Sequence, residues 1–170
     1  MSLSLTLVLG GARSGKSAHA EALVARHAAP WTYLATADAW DDEMTERIAL
    51  HRARRGAGWT TLDAPHDLAA ALARLPPGRP VLVDCLTLWL SNRLLAGADL
   101  DAEGAALIEA LCAHDGPVVA VSSEVGLGIV PDNALARRFR DAQGRLNQSV
   151  AARADTVLFM VAGLPMKVKG

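Results

Sequence analysis

The chain has 170 residues, 51% of them apolar and 21% charged, with a formal net charge of −1. That length suits one domain able to bury most of its apolar surface, and a near-neutral charge gives no global basic field for nucleic acid. No apolar run approaches the roughly eighteen residues a membrane span needs, the N-terminus shows no signal-like segment, and Cys85 and Cys112 share no disulfide or metal-ligand spacing, so a cytoplasmic protein with two packed thiols is expected.

The first predicted element is a buried strand over 3–9. It runs into Gly10-Gly11-Ala12-Arg13-Ser14-Gly15-Lys16-Ser17, which satisfies G-x-x-x-x-G-K-[ST], and residues 18–26 after it are rich in helix formers. This is the strand–loop–helix context of a phosphate-binding loop. Its glycines let backbone N–H groups close around phosphates, Lys16 reaches the β- and γ-phosphates, the Ser17 hydroxyl suits Mg²⁺, and the helix N-terminus adds its dipole.

A second strand is predicted over 31–35. Asp41-Asp42-Glu43-Met44 then opens a helix over 45–55 that stops at Gly56, with acidic residues first and basic residues last. Arg47, His51, Arg54 and Arg55 stand at i−4, i, i+3 and i+4, placing an imidazole among guanidinium groups on one face. Such a face attracts polyphosphate and keeps His51 neutral, the form that acts as a nucleophile. The same charge order is also what the helix dipole favours on any solvated helix.

Further strands are predicted over 59–62, 80–84, 118–122 and 156–161. The strand over 80–84 closes on Asp84, a position where a P-loop protein places an acid near Mg²⁺; a cap for the helix from Leu86 is the competing role. Residues 123–131 form a loop with Gly126 and Gly128, just past a strand's C-terminal end, where open parallel sheets bind ligands. Asp132 or Asn133 caps a long helix with Leu135, Phe139, Ala142, Leu146 and Val150 at helical spacing, and Arg137, Arg138, Arg140 and Arg145 lie mostly off that stripe as a solvated face. His19, His27, His66 and His114 have no comparable constellation and are assigned packing or surface positions. After a Gly163-Leu164-Pro165 turn, residues 166–169 add a short edge strand whose lysines suit exposure. Strands alternating with helices predict an α/β, single-domain P-loop NTPase-like fold, a mostly parallel sheet flanked by helices.

Taken together, several stretches resemble the bifunctional adenosylcobinamide kinase / adenosylcobinamide-phosphate guanylyltransferase family of cobalamin biosynthesis. The resemblance spans nearly the whole chain. It rests on the loop from Gly10 to Ser17 followed by His19-Ala20-Glu21, on Asp41-Asp42-Glu43-Met44 with Arg47, Ile48 and His51, on Glu124-Val125-Gly126-Leu127-Gly128-Ile129-Val130-Pro131, and on residues 133–147. It implies that His51 attacks the α-phosphorus of GTP, forms a GMP phosphoramidate and passes GMP to adenosylcobinamide phosphate. It also implies a kinase step in which Lys16 and Mg²⁺ assist transfer from ATP or GTP to adenosylcobinamide. By the same resemblance Ala35, Thr36 and Ala37, then Arg52, Ala53, Arg54 and Arg55, and the acids Asp63 and Asp84, bind nucleotide, with Ser17 and Asp84 toward the metal. Asp63 and Asp84 stand where family members carry glutamate, one methylene longer. The family's trimer, in which neighbours help form the site, implies a homotrimer here. Two other readings stay open on the residues alone: a P-loop small-molecule kinase without guanylyltransferase activity, which needs no nucleophile at His51, and a nucleotide-controlled binding module.

Overall fold

The computed structural model describes residues 5–38, 45–46, 49, 53 and 55–170. The helix expected over 45–55 is represented by Thr45, Glu46, Ala49 and Ala53, all helical, while Arg55 is outside regular secondary structure. Asp41, Asp42, Glu43, Met44, Arg47, Ile48, His51, Arg52 and Arg54 lie outside the described residues, as do the first two residues of the predicted first strand.

Among the described residues seven strands form one sheet. They are β1 (Leu5–Gly10), β2 (Trp31–Ala35), β3 (Trp59–Asp63), β4 (Val81–Asp84), β5 (Val118–Ser123), β6 (Thr156–Val161) and β7 (Leu164–Lys169), in the order β3-β2-β4-β5-β1-β6-β7. Every pairing is parallel except β6 with β7. The helices are α1 (Lys16–Val24), α2 (Leu68–Ala73), α3 (Leu86–Leu95), α4 (Leu100–Ala113) and α5 (Ala134–Arg153).

Strand alternation sorts side chains onto two faces. Leu5, Leu7, Leu34, Val83 and Ala120 point into one core with the apolar stripes of α2 to α5, including Leu68, Trp89, Leu107 and Leu146. Val8, Tyr33, Ala35, Leu82 and Val121 point the other way and meet Ala20 and Val24 of α1. In α3 the buried Leu86, Trp89, Leu90 and Leu94 recur at helical spacing, which is why this segment packs as a helix. Asp99 caps α4 by accepting from the backbone N–H groups of Asp101 and Ala102.

Asn133, not Asp132, caps α5, its Oδ1 accepting from the Ala136 N–H at 2.7 Å. Leu135 is 53% exposed instead of joining the buried stripe. Gln143 already bonds the end of β5, so the turn at Leu135, about 12 Å further along the helix axis, overhangs the strand ends. The last turn of the chain falls at Ala162 and Gly163, not at Gly163-Leu164-Pro165. Both turn residues have positive φ (50° and 81°), the geometry of a two-residue hairpin, and Leu164 and Pro165 already pair with β6. Pro165 is tolerated because β7 is an edge strand. Lys169 does more than decorate that edge, since its Nζ donates to the carbonyls of Ala151 and Ala152 at the end of α5. Cys85 and Cys112 are free thiols, and the buried His114 bonds the Arg79 carbonyl oxygen at 2.8 Å.

Candidate active site

The parallel strands β1 to β5 end along one edge of the sheet, and the loop from Gly10 to Ser17 lies there between β1 and α1. Its shape depends on close approach. A Cβ on Gly10 would come within 2.6 Å of Ser14 Oγ and 2.9 Å of the Met160 carbonyl oxygen. Gly15, at φ 92°, turns the chain into α1, and a Cβ there would meet Gly163 Cα at 3.3 Å. The β6–β7 turn therefore backs the loop, and the Gly163 N–H donates to the Ser14 carbonyl at 3.0 Å. Ser14 Oγ is buried and has no hydrogen-bond partner among the described residues. Arg13 takes φ 53° at the exposed tip with Ala12 beside it, and Lys16 Nζ donates to the Gly11 carbonyl oxygen. Ser17 follows in the first turn of α1.

Strand register brings three of the expected residues into line. Ala35 pairs with Asp63 on one side and Asp84 on the other. Alternation places all three on the α1 face, the acids' Cα atoms about 10 Å apart across two strand spacings. Asp84 does not cap α3; Cys85 is the N-cap residue and makes no side-chain cap. Asp84 Oδ2 instead accepts from the Tyr33 hydroxyl at 2.8 Å. Burial, then the Asp84 carboxylate, raise the Tyr33 phenol far above its ordinary value, so it remains a donor. The same two causes push the Cys85 thiol up to about 11, leaving it uncharged at neutral pH.

Thr36 is fully buried and ties the ends of β2 and β4 together. Its N–H donates to the Asp84 carbonyl at 3.2 Å, its hydroxyl donates to the Cys85 carbonyl at 2.6 Å, and that hydroxyl accepts from the Cys85 N–H at 2.7 Å. Asn92 of α3 donates to the Thr36 carbonyl at 3.0 Å. Thr36 thus supports the row that holds Asp84, and Ala37 follows it at the strand edge.

Arg55 does not project into solvent. Its guanidinium lies 3.6 Å from the centre of the Tyr33 ring, and Nη2 donates to Thr61 Oγ1 at 3.3 Å. Ala53 is exposed. His51, Arg52 and Arg54 are outside the described residues, so the imidazole's surroundings are not part of this geometry.

Further groups, given no individual role from the sequence, join the site. Tyr33 reads as one more strand residue until its partners are known. Ser123 stands level with Gly10 on the neighbouring strand, its N–H donating to Thr87 Oγ1 at 2.8 Å and its carbonyl accepting from Asn147 at 3.0 Å. Beneath it Ser122, Gln143 and Asn147 form a buried hydrogen-bonded cluster, with Ser122 Oγ donating to Asn147 Oδ1 at 2.6 Å and Gln143 Nε2 donating to both. The only sequence signal for this cluster is a pair of amides one helical turn apart on α5. Glu124 links the next loop to the first, its N–H donating to the Gly10 carbonyl at 3.1 Å. Beyond it Leu127 and Ile129 are 82% and 96% exposed.

The edge thus offers a glycine-built cradle with a lysine, and on the same face a hydroxyl and a carboxylate, both hard oxygen donors. Among the described residues no group of three or more His, Cys, Asp or Glu residues is placed to hold a metal. Mg²⁺ carried by nucleotide phosphates needs only one or two protein oxygens, so Ser17 and Asp84 suit it in type and number.

Solved structures similar to this one include the RadB recombinase (TM-score 0.53, 18% identity, 92% of this chain and 73% of that one). An ATPase from the type III secretion system of pathogenic bacteria is also similar (TM-score 0.57, 14% identity, 92% of this chain and 50% of that one). At such identities the likeness is one of fold, and it places the chain among P-loop NTPase folds. Sequence relatives are much nearer. The bifunctional adenosylcobalamin biosynthesis protein CobP of Pseudomonas aeruginosa is 53% identical over 167 residues, covering 96% of both chains. The bifunctional adenosylcobalamin biosynthesis protein CobU of Salmonella typhimurium is 42% identical over 181 aligned positions, covering 97% of this chain and 99% of the relative. The model of the cobinamide kinase / cobinamide phosphate guanyltransferase family matches residues 6–168, and this chain belongs to that family.

Proposed function

We propose that this protein is a bifunctional enzyme of adenosylcobalamin biosynthesis. It phosphorylates adenosylcobinamide with ATP or GTP, then transfers GMP from GTP to adenosylcobinamide phosphate, giving adenosylcobinamide-GDP and pyrophosphate. The observation that carries this reading is the family match over residues 6–168, in a chain whose P-loop, Asp63 and Asp84 share one face and edge of the sheet.

In the kinase step the substrate hydroxyl attacks the γ-phosphorus, the bond to the β-phosphate's bridging oxygen breaks, and the hydroxyl proton is lost. The work is positioning and charge neutralisation. Backbone N–H groups of the loop hold the phosphates, Lys16 swings from the Gly11 carbonyl to the β- and γ-phosphates, and Thr36 and Tyr33 keep Asp84 in place. Ser17 and Asp84 would hold Mg²⁺ brought with the nucleotide, and the ion would supply positive charge to offset that of the phosphates. In the guanylyltransferase step a nitrogen of His51 attacks the α-phosphorus and pyrophosphate leaves. A phosphate oxygen of adenosylcobinamide phosphate then attacks the same phosphorus, the P–N bond breaks and the imidazole is restored. Ala35, Thr36, Ala37, Arg52, Ala53, Arg54, Arg55, Asp63 and Asp84 contribute to the nucleotide site.

The reading extends to the whole chain as one nucleotide-binding domain, to a homotrimer and to a cytoplasmic location; no helix among the described residues is long and apolar enough to cross a membrane. Incubation with cobinamide, ATP, GTP and Mg²⁺, followed by chromatography and mass spectrometry, tests it. Both cobinamide phosphate and cobinamide-GDP are expected. Cobinamide phosphate without cobinamide-GDP would identify a plain kinase, and slow NTP hydrolysis with no corrinoid product would identify a nucleotide-controlled binding module.

A further inference from the structure

β4 stops two residues short of β5. Their last pair is Asp84 with Val121, whereas β5 continues beside β1 as far as Ser123, level with Gly10. The Ser123 carbonyl and the Glu124 N–H belong to one planar trans peptide and point in opposite directions. That N–H donates to the Gly10 carbonyl at 3.1 Å, so the Ser123 carbonyl faces the gap beyond β4. A strand end left there without partners would carry unpaired backbone groups at a cost in free energy.

Two side chains take the place of the missing strand. Asn147 Nδ2 of α5 donates to the Ser123 carbonyl at 3.0 Å, and Thr87 Oγ1 of α3 accepts from the Ser123 N–H at 2.8 Å. Asn147 is itself aimed, since its Oδ1 accepts from Ser122 Oγ at 2.6 Å and from Gln143 Nε2 at 2.9 Å. Ser122 and Gln143 are fully buried, and Asn147 is 6% exposed. The chain of contacts ends on the first glycine of the phosphate loop, where the packing leaves little slack: a Cβ on Gly10 would meet Ser14 Oγ at 2.6 Å. The next carbonyl, that of Gly11, accepts from Lys16 Nζ.

Resting on the nucleotide-binding role proposed above for the loop, we propose that Asn147 and Thr87 are positioning residues for the nucleotide phosphates. They hold the peptide between Ser123 and Glu124, and through it the Gly10 carbonyl, so that the loop keeps the shape in which its N–H groups meet phosphate. Both act through the backbone, as supporting groups behind a binding layer do.

Thr87→Val keeps the side-chain shape and removes the acceptor, and Asn147→Leu removes the donor. Gln143→Leu is the control, because it takes a buried donor from the same cluster and leaves Asn147 bonded to Ser123. Calorimetric titration with ATP and Mg²⁺ should show the Kd raised about tenfold in Asn147→Leu and about threefold in Thr87→Val, and within about twofold of wild type in Gln143→Leu. In nucleotide-free protein, amide exchange over residues 10–17 should be faster in the first two variants and unchanged in the control. The melting temperature should fall at least as far in Gln143→Leu as in Thr87→Val, so that affinity and stability part company.

Wild-type ATP affinity in Thr87→Val overturns the proposal, including where Asn147→Leu fails to fold. An affinity loss in Gln143→Leu equal to that in the other two also overturns it, since general packing of the cluster would then be the cause. Wild-type protein that binds no ATP overturns the nucleotide reading itself, and exchange over residues 10–17 still decides whether Asn147 and Thr87 hold the loop.

Discussion

The face of the sheet under α2 to α5 is filled with leucine, valine and Trp89, whereas the face under α1 carries Tyr33, Asp63 and Asp84 beside a smaller apolar patch, with Arg55 seated on it. The first face binds four helices to five strands through side chains with no chemistry to offer. The second leaves much of β2 and β3 to polar and aromatic groups, and the phosphate-binding loop opens above it. The division shows how one sheet keeps stability and catalysis apart: substitutions on the helical face should cost folding, and those on the α1 face should cost turnover or ligand.

The strongest way to break that division is at its largest buried side chain. Trp89 is 2% exposed and donates its indole N–H to the His66 carbonyl at 2.9 Å. Trp89→Ala should lower the unfolding free energy by about 3–5 kcal/mol in urea titrations, while the folded fraction still binds nucleotide. A loss below about 1 kcal/mol would show that this face is not the main store of stability. On the other face, Lys16→Ala should reduce cobinamide phosphorylation by about 100-fold or more and shift the unfolding free energy by under about 1 kcal/mol. Unchanged kinase turnover would remove Lys16 from the phosphate site.

Gln143 sharpens the comparison, because it is a polar exception on the stable face. Its Nε2 donates to Ser122 Oγ and Asn147 Oδ1, both at 2.9 Å, beneath the end of β5. Gln143→Leu should cost about 1–2 kcal/mol in the same titration, since two buried acceptors lose a donor. The smallest effect belongs to the rim. Arg93 grips Glu103 with two hydrogen bonds of 2.6 and 2.7 Å, and that bonding lowers the Glu103 pKa. A lowered folded pKa means that the stabilisation is present above the unfolded carboxyl value of about 4.3 and is lost as pH falls through the folded value. Glu103→Gln should therefore cost at most about 1 kcal/mol at pH 7, and wild type and variant should converge in acid.

Much of this architecture was legible in the sequence for physical reasons. Strands buried on both faces read as apolar runs, and the loop from Gly10 to Ser17 is a local motif whose spacing is set by backbone closure around phosphates. Asp84 stood out because a carboxylate ended such a run. Tyr33 did not, because an aromatic residue within a strand looks like core until Asp84 and Arg55 are brought to it from 51 and 22 positions away in sequence. The Ser122–Gln143–Asn147 cluster was hidden likewise, since two amides on a helix have no signature without the strand end they bond. The final turn lies one residue earlier than glycine and proline at 163–165 suggest, because Leu164 and Pro165 already pair with β6. The positive φ of Ala162, an alanine in a conformation that residue seldom adopts, has no sequence signal.

On the proposed function, His51 is a nucleophile and one chain is both kinase and guanylyltransferase. Incubating the purified protein with α-labelled GTP and Mg²⁺, then measuring intact mass and mapping peptides, tests it most directly. One GMP bound to His51, labile in acid and lost on adding cobinamide phosphate, is the predicted result. Folded, nucleotide-bound protein that acquires no GMP on His51 would contradict it.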